Sequence, residues 1–107
     1  MLVEDVTPGE RLFLLRRRRE DTTSHEAAAK EWGVDVKIYR GWEQDVGDPP
    51  VAPLDEVRPY EHFALLRRRF GLPRKTMAKD IGISEILLWG MERGLRSCRM
   101  LKEYWEG

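Results

Sequence analysis

Cysteine is almost missing from this chain. Cys98 stands alone, so no disulfide can close within it, and a soluble protein of a reducing, cytoplasmic setting is expected. Histidine is nearly as scarce, with only His25 and His62, too few and too scattered for a Cys/His cluster at metal spacing. No glycine-rich phosphate loop is present, nor a nucleophile beside an evident base. The expectation is therefore a protein that is not an enzyme and uses neither cofactor nor metal. No apolar run nears membrane-spanning length, so no membrane partner is expected; MLVEDVTPGE at the amino terminus lacks the basic-then-apolar order of a signal peptide. Net charge is absent as well. Nineteen basic and nineteen acidic residues cancel, so binding to nucleic acid cannot come from bulk charge and must rest on where the charges lie.

What the chain does have is charge density and helical pattern. A charged fraction of 36% beside a hydrophobic fraction of 41% suits a helical protein with a thin core and a wet surface. Split after Pro53, the first half carries 8 basic against 11 acidic residues and the second 11 against 8.

The organising stretch is Arg74–Gly94, RKTMAKDIGISEILLWGMERG. Its spacing predicts a short helix, a turn at Gly82 where positive φ is needed, and a second helix capped by Ser84. Ala78 suits a close helix crossing, and the whole reads as a helix-turn-helix. The same design stands at His25–Asp45, where Ala29, Gly33, Val34, Tyr39, Trp42 and Glu43 lie 49 residues before Ala78, Gly82, Ile83, Leu88, Met91 and Glu92. Leu14-Leu15-Arg16-Arg17-Arg18 is likewise answered by Leu65-Leu66-Arg67-Arg68-Arg69, at an offset of 51. The change of offset puts a two-residue deletion in the loop at Gly71-Leu72-Pro73, and loops are where indels are tolerated. The chain reads as a duplication.

Each copy begins with a helix. Thr7-Pro8-Gly9-Glu10 predicts a capped start, with Val3 and Val6 docking on the helix that it opens; Leu12, Leu15 and Arg19 are expected to share one face. Thr23 to Glu26 predicts a second capping box, and the third helix is expected from its cap Asp35 to about Glu43. Gly47 to Pro53 holds three prolines and predicts a semi-rigid connector. The expected organisation is a first repeat over 1–46, a connector over 47–53, and a second repeat over 54–107 with a fourth helix, about Ser97 to Trp105, that copy one lacks. Trp32 and Trp42 are expected in the first core, Tyr104 and Trp105 against the last helix, and His62 at the surface. The two copies, marginal alone, are expected to pack together or to share surface.

In both copies the spacing resembles the lambda-repressor-like, or Xre and Cro/C1-type, helix-turn-helix family. The residues that carry this are Arg16 and Arg67 in helix one, the helix-two Ala, the turn Gly, and Glu43 and Glu92 in helix three. The resemblance implies an all-α fold of two tandem repeats, each of three to four short helices. It also implies partly buried ion pairs, Arg16–Glu43 and Arg67–Glu92. Function would follow as sequence-specific binding of double-stranded DNA by a transcriptional regulator, a repressor of the small phage or bacterial kind, with the third helix in the major groove.

On that reading the outward positions are Val36, Lys37, Arg40 and Gly41 in copy one and Glu85, Ile86, Trp89 and Gly90 in copy two. Lys37 and Arg40 could donate to guanine. Arg74 and Lys75, at a helix start, could clamp a phosphate, as could His25 at the matching place. Arg93, Arg96 and Arg99 are further candidates for backbone contacts. The run Arg16–Arg19 reads first as a solvated helix face, with Arg16 set aside as structural. Charge favours copy two as the DNA module, whereas third-helix chemistry favours copy one. Ile86 and Trp89 suit a protein interface instead, which keeps two other readings open. In one, the scaffold is an adaptor gripping a polymerase subunit, repressor or toxin. In the other, copy one binds DNA and copy two forms a homodimer.

Overall fold

The structure is a computed structural model describing residues 2–19 and 24–106. The described residues are all-α, in two compact units that divide after Glu56. The first unit holds a short 3-10 turn, Val3–Asp5, and helices α1 (Pro8–Arg18), α2 (His25–Trp32) and α3 (Val36–Glu43). The second holds α4 (Pro59–Arg69), α5 (Arg74–Ile81), α6 (Glu85–Glu92) and α7 (Arg99–Glu106).

Local chemistry sets the helix starts. At α1 the Thr7 hydroxyl accepts from the Glu10 N–H at 3.1 Å while the Glu10 carboxylate accepts from the Thr7 N–H at 3.0 Å. Each therefore satisfies a donor that the first turn leaves open. At α4 the Arg58 N–H donates to Glu61 at 3.0 Å, but an arginine side chain has no lone pair to return the bond. The cap of α2 is Ser24, accepting from Ala27 N–H at 3.1 Å, and Ala27 stands at the third helical position. Thr23 itself lies outside the described residues. The last helix starts at Arg99 rather than near Ser97, whose hydroxyl instead accepts from the Arg99 N–H at 3.3 Å. Arg19 lies just beyond α1 and is exposed, so it does not share the Leu12 face.

The first core joins Leu12, Ala28, Ala29 and Tyr39 to Ala52 from the proline segment, with Leu15, Val34, Val36 and Trp42 packed against it. The proline stretch is thus part of the first unit rather than a bare spacer. The second core joins Phe63, Met77, Ala78, Leu88, Met91 and Leu101, with Ile83, Leu87 and Trp105 against it. Two of the sequence expectations change here. Trp32, expected in the core, is 42% exposed and meets Trp42 edge to face at 6.2 Å. His62, expected at the surface, is half-buried, and its Nδ1 has no partner among the described residues.

Candidate nucleic-acid interface

Both turns are built alike. Gly33 and Gly82 cap α2 and α5 in the left-handed region, φ 69° and 86°, where a side chain would crowd the following carbonyl. Two residues on, Asp35 and Ser84 cap α3 and α6, accepting from the N–H of Lys37 (2.8 Å) and Leu87 (3.1 Å).

A bidentate ion pair fixes each outer helix to the first helix of its unit. Arg16 donates to Glu43 at 2.7 and 3.1 Å, and Arg67 to Glu92 at 2.7 and 3.0 Å. Arg67 also donates to the Leu72 carbonyl at 3.1 Å, tying in the shortened loop. Burial works against the Arg16 charge, yet the hydrogen bond and charge of Glu43 outweigh it and hold the guanidinium above its ordinary value. Burial, then the hydrogen bond and charge of Glu43, push the neighbouring Tyr39 hydroxyl well above the usual phenol range. Among the described residues the buried charged side chains are Glu10, Glu43, Glu61 and Glu92, which form two matched sets at offsets of 51 and 49.

The outward face of α3 is Lys37, Ile38 and Arg40, all exposed. Val36, expected outward, packs against the first core, and Ile38, 51% exposed, takes the open side. Gly41 is half-buried, with Val46 Cβ 3.8 Å from where its own Cβ would stand. Arg40 lies 3.5 Å from Glu26, a pair exposed on both sides and so weakly held. His25 turns inward: its Nε2 is 3.5 Å from Glu43 and its ring 6.3 Å from Tyr39, which sets it beside the brace.

On α6 the exposed residues are Glu85, Ile86 and Trp89, with Ile86 81% open. Gly90, expected outward, is buried, and a Cβ there would meet Arg96 Cγ at 3.2 Å. Leu87 turns in against the core, doing there what Val36 does in α3. The Arg93 guanidinium lies 5.0 Å over the Trp89 ring and is half-buried. Arg74 and Lys75 are exposed in the first turn of α5, where the residue before them is Pro73 and no side chain caps the helix. Arg96 is exposed, and Arg99 pairs with Glu103 at 3.3 Å. Counted over the units, Met1–Glu56 has 8 basic against 13 acidic residues and Val57–Gly107 has 11 against 6.

Among the described residues no group of three His, Cys, Asp or Glu could hold a metal, and no helix is long and apolar enough to cross a membrane. Comparisons with family models, with curated proteins and with solved structures give no match.

Sequence reasoning missed Ile38 and the exposure of Trp32. Neither had a local signal, since both stand at apolar positions of a helical period.

Proposed function

We propose that the chain is a cytoplasmic, double-stranded-DNA-binding regulator of transcription built from two duplicated lambda-repressor-like helix-turn-helix units. In this reading α3 lies in a major groove with Lys37 and Arg40 against base edges. Arg74, Lys75 and Arg96 of the basic second unit hold phosphates and supply most of the affinity. The observation that carries it is α3 itself: a helix braced by a buried ion pair, following a tight turn, with two exposed cations on its outer face. Two such units in one chain would act as a covalent pair on two half-sites, of the kind a small phage or bacterial repressor uses.

Selection of bound sequences from a random duplex pool tests this. An enriched motif is expected. Lys37→Ala with Arg40→Ala should relax discrimination at its bases, and Arg74→Ala with Lys75→Ala should weaken all duplexes alike. No enrichment, or unchanged selectivity in the α3 variant, would reject α3 as the reader.

A second reading has its own observation. The face of α6 offers Ile86 and Trp89 beside Glu85, with the Arg93 guanidinium over the Trp89 ring, which suits a homodimer or a protein partner such as a polymerase subunit or toxin better than a groove. Trp89→Ala should then change self-association or partner capture without touching DNA binding. Loss of DNA binding with oligomeric state unchanged would count against it.

A further inference from the structure

The first unit contains a cleft of about 640 Å³, floored by Leu12, Leu15, Ala28 and Trp32 and rimmed by Arg18 and Arg19. Its meaning comes from the matching surface of the second unit. There Phe63, Leu66, Met77 and Ile81 occupy the corresponding places, and that surface is covered by α7: Leu101 is fully buried in the cluster and Trp105 packs against it. Phe70, counterpart of Arg19, meets the Trp105 ring at 5.4 Å. In the first unit the residue 49 positions before Leu101 is Ala52, which is buried at 2% and joins the core. Ala52 lies between Pro50 and Pro53 in a segment that is not helical. It brings a methyl where the second unit has an isobutyl group. The place matching Trp105 falls at Glu56, which is exposed, so no aromatic covers Trp32 from there.

We infer that this cleft is a docking groove for an amphipathic helix of a protein partner. That helix would present a leucine and an aromatic residue four positions apart, as α7 presents Leu101 and Trp105 to its own unit. An apolar stripe at i and i+4 laid in a groove is a recurring mode of recognition. The arginines of the lining are each paired with a carboxylate, Arg16 with Glu43, Arg18 with Asp55 and Arg19 with Glu31. Arg18 also bonds the Glu56 carbonyl at 2.8 Å, so the rim is held in place. The chain's own α7 is engaged on the second unit, which makes a separate protein the occupant. None of this depends on DNA binding.

The test is an NMR titration of the isotope-labelled full chain with a synthetic helix of about 16 residues, long enough to be helical. It embeds the Leu101–Trp105 segment between glutamate- and alanine-rich turns. Saturable shifts are expected at the Leu12 and Leu15 methyls and the Trp32 indole. At least tenfold weaker binding is expected for Trp32→Glu at unchanged melting temperature; Leu15→Gln serves if that variant does not fold. A control peptide with both apolar anchors replaced by alanine should give no shifts. The inference is overturned if no shifts occur, if they fall on the second unit or the α6 face, or if the control binds equally. It is also overturned if a small apolar dye fills the cleft and the peptide does not displace it.

Discussion

The ring of Tyr60 closes over the backbone of Gly94: a Cβ at residue 94 would stand 2.7 Å from Tyr60 Cε1, and Gly94 has φ 76°. At the matching junction of the first unit the room has changed sides. Gly9 is the residue that can bear no side chain, with the Trp42 carbonyl oxygen 2.5 Å from its Cβ position. Asp45, φ 58°, stands where Gly94 does and accepts from the Gly9 N–H at 2.8 Å and the Thr7 hydroxyl at 2.6 Å. Each junction thus omits one side chain, on opposite partners.

This exchange predicts strong coupling. Gly94→Asp alone should destabilise by about 2 kcal/mol, from overlap with the ring and the left-handed backbone. In a Tyr60→Gly background the same change should cost at least about 1 kcal/mol less, the size expected of residues in contact. Urea unfolding of the four proteins measures it, and simple additivity would show that the two junctions are not equivalent.

The ion pairs are expected to matter through their breakage. Arg16→Met or Glu43→Gln leaves one buried partner unmatched and should cost about 3–5 kcal/mol, and Arg67→Met the same in the second unit. Replacing both partners, Arg16→Met with Glu43→Leu, should recover most of that loss. A double variant no better than the singles, by thermal unfolding, would mean that the pair contributes more than mutual satisfaction.

His62 predicts a pH effect. Burial lowers its pKa from the ordinary 6.5, with the Arg69 charge adding to this and Glu106 opposing it. The unfolded chain therefore binds the proton more readily than the folded one. Stability from this group is complete above about pH 6.5, the value for an unperturbed histidine, and is lost as pH falls through the lower folded-state value. His62→Gln should flatten the melting temperature between pH 7 and 5. An unchanged slope in that variant would assign the effect elsewhere.

Much of the fold was legible because its signals are local. Thr7-Pro8-Gly9-Glu10 specifies a helix start within four residues, and Gly33 and Gly82 specify their turns singly. The Arg–Glu partners are long-range and were legible only through the family resemblance. What sequence could not assign was which apolar residue of an eight-residue helix faces in. At the first and third positions of α3 and α6 one residue is half-buried and the other exposed. The structure turns in Val36 and Leu87, leaving Ile38 and Glu85 outside. Trp32 was misplaced for a different reason: its counterpart Ile81 is sheltered in a unit that has α7, and the described residues of the first unit hold no such helix.

The most direct test of DNA recognition is the salt dependence of binding to an enriched duplex, followed by fluorescence anisotropy. Contacts from Arg74, Lys75, Arg96 and the α3 cations predict a slope of log Kobs against log salt of roughly −3 to −5, at about −0.9 per neutralised phosphate. Arg74→Ala with Lys75→Ala should make that slope shallower by about 2. A slope near zero, or one that this variant leaves untouched, would contradict the account.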